Sequence, residues 1–163
     1  MKEILLESWE RQAQIVANMA TLINEANRKA KPSPDGMPLD EQLAHIHEVR
    51  CGWLNTVSKK HAEALGNAYR QHGTTWHPID DLDEIKRQVG LSSEAIRNAM
   101  DELLDHEPSI DSPYTHPIHF LQHMIWHEGW HVGLITLALR LNGEEPPEAW
   151  EEEHVWGLWR TEG

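Results

Sequence analysis

One cysteine, Cys51, stands in a chain of 163 residues. That excludes an intrachain disulfide framework and suits a reducing cytosol, so a cytoplasmic location is expected. No run of 18 apolar residues occurs, so no membrane-spanning helix is expected. The opening stretch MKEILLESWE is charged and periodic, unlike the apolar centre of a secretory signal. Positive charge is scarce: 14 Lys and Arg stand against 27 Asp and Glu, a net of −13. Nucleic acid and anionic membrane are therefore not expected as partners, because either demands a basic patch to neutralise phosphates. Clear period-two alternation bounded by turns is missing as well, and so is any internal repeat.

What the chain does have is helical periodicity. Leu5, Trp9, Val16, Met19, Ile23 and Ala26 recur at spacings of three and four, which predicts a first helix over 3 to about 30, with Gln12 as its polar exception. Three prolines and a glycine between 32 and 38 end it. Leu39, Leu43, Ile46, Val49, Trp53 and Val57 predict a second helix from 39 to about 66, where Gly66 offers a stop. Residues 70 to 80 read as a connection. A third helix is expected over 81 to 105, with a break at Gly90 and a restart capped by Ser92 or Ser93. His106 to Thr115 reads as a loop. A fourth helix over 116 to 142 starts at Pro117 and stops at Gly143, followed by a tail rich in Trp150, Trp156 and Trp159 that packs back over the helices. Four long amphipathic helices with one long connection describe an all-α four-helix bundle, with residues 1–163 as a single domain.

The chemistry is concentrated in the fourth helix. It carries five of the twelve histidines, and His119, His123, His127 and His131 recur every fourth residue. Side chains four apart on a helix sit one above the other, and two imidazoles so placed share one divalent cation. Phe120, Met124, Leu134, Ile135, Ala138 and Leu141 mark the apolar stripe, which His127 and His131 continue, while His119 and His123 drift to its edge. The plainer reading is a pair of hydrogen-bonded core histidines; the ligand spacing favours a metal. His45 and His47 flank the apolar face of the second helix, and periodicity does not choose between them; one of the two is expected to be a solvated surface residue.

His127-Glu128-Gly129-Trp130-His131 also fits H-E-x-x-H, in which Glu is the general base of a zinc protease. The longer metzincin form fails, because its third His would fall at Leu137. Glu128 lies about 100° around the helix from His127, which favours a solvent-facing charge over a base or a support for the ligands. The acidic run Glu151 to Glu153 reads as a solvated face.

His127-x3-His131-x-Gly133, Leu139-Arg140-x2-Gly143 and the prolines at 146 and 147, with Leu43-Ala44-His45-Ile46 and Trp53-Leu54, resemble the motifs of the DinB/YfiT-like metalloenzyme family. The resemblance implies a four-helix bundle with three His ligands around one divalent metal ion, and carried over by position these are His45, His127 and His131. The family's usual Arg-Gly-Gln after the last ligand is Val132-Gly133-Leu134 here, so a charged and an amide side chain are missing beside the site. Some relatives are thiol S-transferases or isomerases. A metal-dependent transferase or hydrolase acting on a small molecule is thus the first expectation, with a low-molecular-weight thiol as one substrate class and Arg50 and Arg140 as the cations to hold its carboxylates. Its catalytic residues are left unassigned, and a homodimer is the expected assembly. Three imidazoles do not choose among zinc, nickel, iron, copper or manganese. The alternatives are a non-catalytic metal-binding or stress-response module and, third, the H-E-x-x-H protease.

Overall fold

The computed structural model describes residues 1–105 and 112–160. It is mostly helical, with four long helices: α1 (Lys2–Thr21), α2 (Leu39–Val57), α4 (Leu82–Leu103) and α5 (Pro117–Leu141). Short α3 (Lys59–Ala62) follows α2, a hairpin of β1 (Tyr69–His72) and β2 (Thr75–Pro78) leads to α4, and α6 (Glu148–Glu151) begins the tail. The first six positions of the expected loop at 106–115 lie outside the described residues.

Local chemistry sets the helix ends. Asp81 caps α4 by accepting from the Glu84 N–H at 3.0 Å. α5 opens with Pro117 in its first turn and with the His116 ring accepting from the Ile118 N–H at 3.1 Å. It closes on Gly143 at φ 77°, where the Glu144 N–H reaches Leu139 O at 2.9 Å and the Gly143 N–H reaches Arg140 O at 3.1 Å, a Schellman motif. α4 runs through Gly90 without the expected break, and Ser93 returns its hydroxyl to Val89 O at 3.0 Å instead of capping a restart.

α1 and α2 are shorter than their periodicity suggests. After Thr21 the Asn24 side chain accepts from the Ala26 N–H, and Asn27 donates to Leu22 O at 2.9 Å, so side chains replace the helical ladder. The resulting turn is tied to the start of α2 by Arg28, whose Nε meets the buried Asp40 carboxylate at 2.9 Å. α2 stops at Val57, well before Gly66, because Ser58 leaves helical geometry at φ −152°. The hairpin corrects the reading of residues 70 to 80 as a plain connection. Gly73, at φ 60°, opens its two-residue turn in the type II′ pattern. Its strands are almost wholly exposed, so there was no buried alternation to see.

The interior is two apolar clusters separated by a polar layer. One holds Val16, Met19, Leu43, Ile46, Ile85 and Ile135; the other holds Leu6, Trp9, Leu54, Ile96, Phe120 and Met124. Between them each long helix contributes a buried polar residue: Gln12, Arg50, Ser92 and Glu128. Arg50 meets Glu128 through Nε at 2.6 Å and a second nitrogen at 2.9 Å, donates to Val89 O at 2.7 Å, and lies 5.1 Å from the Trp9 ring centre. The tail packs on α1 as expected: Asn18 donates to His154 O at 2.8 Å, and Arg11 donates to Leu158 O. No helix among the described residues is long and apolar enough to cross a membrane.

Candidate metal centre

α2 and α5 pack against each other, and that contact brings His45 to the His127–His131 pair. Their Nε2 atoms converge: His127 to His45 at 3.3 Å and His131 to His127 at 3.1 Å. Nitrogens about 2.1 Å from a shared ion lie roughly 3.0 Å apart at octahedral angles and about 3.4 Å apart at tetrahedral ones. The observed separations fall within that span. Ligand atoms of these three residues all lie within 4.8 Å of one another, a group able to hold a metal ion.

The hydrogen bonding points the same way. Gln42, buried one turn before His45, donates its amide N–H to Met37 O at 3.1 Å, which leaves its carbonyl oxygen as an acceptor. That oxygen takes the Nδ1–H of His131. With its proton held at Nδ1, His131 presents the Nε2 lone pair to the cluster, the usual arrangement behind a metal-ligating imidazole. Nδ1 of His127 is buried with no hydrogen-bond partner among the described residues. Burial pushes the His127 imidazole down to about 4, helped by the neighbouring His45, His123 and Arg50. Burial, with His127 and His45 adjacent, pushes His131 down to about 3. Burial also lowers His45, while the Glu41 carboxylate pulls it partly back. At neutral pH all three are unprotonated bases facing one point, the state a divalent ion requires.

The other histidines stay out of the cluster. His119 is exposed and bonded to Thr115 at 2.9 Å; His123 shares a 2.7 Å hydrogen bond with the Tyr114 hydroxyl. His47 is fully buried, with Nε2 at 2.7 Å from Gly66 O and 3.3 Å from Cys51 Sγ. Neither helix-two histidine is therefore the solvated residue expected, since His45 is half-buried at the cluster. The Gly66 loop explains His47: its carbonyl meets the ring, and the loop is held against α4 by the Gly66 N–H donating to Gln88 Oε1 at 3.0 Å.

Glu128 also departs from expectation. It is 0% exposed, because the buried stripe of α5 runs Met124, Glu128, His131 and Ile135 and Arg50 supplies the compensating charge. Both its oxygens are held by that guanidinium. Arg50 is by the same contact unavailable to a substrate carboxylate, and Arg140 pairs with Glu145 on the surface. A cavity of about 570 Å³ opens beside His45, lined by Glu41, Glu48, Asn67, Tyr69 and Trp76. Gln42 escaped sequence reading, although its place three residues before His45, on nearly the same helix face, was a usable signal.

A mostly helical protein whose second and last long helices bring three imidazoles to one point belongs to a recognisable class of metal-capable helical proteins. The family model described as DinB family matches residues 1–157, and the chain belongs to that family. Searches of curated proteins and of solved structures find no significant match.

Proposed function

We propose that His45, His127 and His131 hold one divalent ion and that the protein is a metal-dependent enzyme of transferase or hydrolase type on a DinB four-helix bundle. The observation that carries this reading is the convergence of three neutral Nε2 atoms beside a cavity large enough for a small molecule. Three protein ligands leave a coordination position open, the pattern of catalytic rather than structural sites. When bound, the ion would supply Lewis acidity and lower the pKa of a thiol or water placed at that position.

The chain's own residues do the remaining work. Gln42 orients His131, and the Arg50–Glu128 pair anchors α5 between its two ligand residues. Tyr69 and Trp76 form the hairpin wall of the cavity. Burial raises the Tyr69 phenol well above its ordinary value, with Glu41, Glu48 and Asp40 adding to the shift, so it stays a neutral hydrogen-bond donor at pH 7.

The open cavity favours an enzyme over a non-catalytic metal-binding module, for which a filled site would serve. Glu128, occupied by Arg50, is not free to act as the base of an H-E-x-x-H protease. Elemental analysis of purified protein tests the reading: one divalent ion per chain is expected, lost in His45→Ala, His127→Ala and His131→Ala and kept in His119→Ala and His123→Ala. Retention of full metal by His127→Ala would overturn it.

A further inference from the structure

From the lining of the cavity beside His45 we infer that the substrate of this site is a small organic cation, a protonated amine rather than a carboxylate-bearing molecule. The inference rests on the metal-site reading for the location of the reacting centre and on the cavity for the substrate's charge. Glu41, His45 and Glu48 occupy one face of α2 at spacings of four and three and all line the cavity. Opposite them stand Tyr69 and Trp76. In the ribbon Tyr69 pairs with Pro78 and Gln71 with Trp76, so Tyr69 and Trp76 share one face. Carboxylates set against aromatic faces recognise ammonium groups, through charge-assisted hydrogen bonds on one side and cation–π attraction on the other.

The cavity has no lysine or arginine in its lining. Cations on the same and flanking segments are committed elsewhere: Arg50 to Glu128, Arg28 and Lys29 to Asp40, and Arg70 to Asp80. Glu48 accepts the Ala68 N–H at 2.8 Å through one oxygen, which leaves the other for a ligand. The Glu41 carboxylate has no ion-pair partner among the described residues. A carboxylate-bearing substrate would meet two negative charges and no counter-charge on this wall, whereas an ammonium group would meet two acceptors. Four helical residues rise about 6 Å. A ligand with its donor atom at the imidazole cluster and its ammonium nitrogen a few bonds away therefore spans His45 to Glu41.

Calorimetric titration of zinc-loaded protein with 2-aminoethanethiol and with 3-mercaptopropionate tests this, since both offer the same sulfur and differ in the charge at the other end. We expect the amine to bind at least tenfold more tightly. Glu41→Gln and Glu48→Gln should each reduce that preference severalfold with zinc content unchanged; glutamine keeps the Oε1 acceptor that Ala68 uses. Glu153→Gln, on the exposed tail, should leave the preference intact and so rules out general attraction to an acidic chain. The same comparison on metal-free protein, with butylammonium and butyrate, separates the two readings. If no zinc binds, the metal-site reading fails while the butylammonium preference still stands. A preference of one or less in the metal-free chain, or one indifferent to both Glu→Gln changes, overturns the inference.

Discussion

Two polar clusters lie within a few residues of each other on α2 and α5, and they differ in how completely they are satisfied. In the layer of Arg50 and Glu128 both side chains are 0% exposed, and the guanidinium is spent on the carboxylate, Val89 O and two serine hydroxyls. In the imidazole cluster, the Nε2 atoms of three neutral imidazoles converge beside a cavity. Three neutral imidazoles carry more lone pairs toward this point than protons to fill them, which leaves room for a cation as the further partner. The first cluster reads as structure and the second as function, although both are built from charged or titratable residues in a helical core.

Breaking the satisfied cluster should have the largest effect on folding. Glu128→Ala leaves a buried, unpaired guanidinium and should cost about 3–5 kcal/mol in urea unfolding. The double change Arg50→Met with Glu128→Leu should recover most of that loss; a double variant no more stable than Glu128→Ala would show that the layer does more than pair charges.

Emptying the open cluster comes next. An ion that binds only the folded chain stabilises it by about 2.7 kcal/mol at a hundredfold excess over Kd. Chelation at pH 7.5 should thus lower Tm while most helical signal at 25 °C remains, because the apolar clusters do not depend on the ion. Acid acts in the same direction. The folded values of His127 and His131, about 4 and about 3, lie below the ordinary 6.5, so between these limits the unfolded chain binds more protons. Stability of the metal-free protein should fall as pH drops from 6.5 toward 4, and the Tm of His131→Ala should be less sensitive over that range. Equal sensitivity of the two proteins would place the titrating groups elsewhere.

Smaller still is the effect of the residue behind the ligands. Gln42→Leu removes the acceptor that holds the His131 proton on Nδ1 and should weaken metal binding about 10–100-fold. Competition with a chromogenic chelator measures this, and unchanged affinity would free His131 of any dependence on Gln42. His47→Ala should cost about 1 kcal/mol of stability through its lost bond to Gly66 O, with no change in metal content. Loss of metal there would mean that the two histidines of α2 had been assigned the wrong way round.

The helices were largely legible, since a core-facing stripe repeats every three to four residues whatever it packs against. Their ends were less so. Asn24 and Asn27 stop α1 through side-chain bonds that no hydrophobic count registers, and the hairpin was invisible because its strands bury almost nothing. Within the site, the His127–His131 pair is local geometry on one helix and could be read directly. Gln42 and Glu128 could not, because each takes its meaning from a residue on another helix.

By itself, then, the sequence determined the helical class, the face on which the paired imidazoles stand and the family motifs that single out His45. The first two follow from spacings of three and four along one chain segment, where the helix alone sets the geometry; the choice of His45 over His47 rests on the family resemblance. Only the tertiary structure decided that His47 is buried on Gly66, that Glu128 is neutralised by Arg50 and that the wall beside His45 is acidic and aromatic. Each of these depends on a partner more than fifteen residues away, and burial with a distant partner inverts what the same side chain would do on a surface.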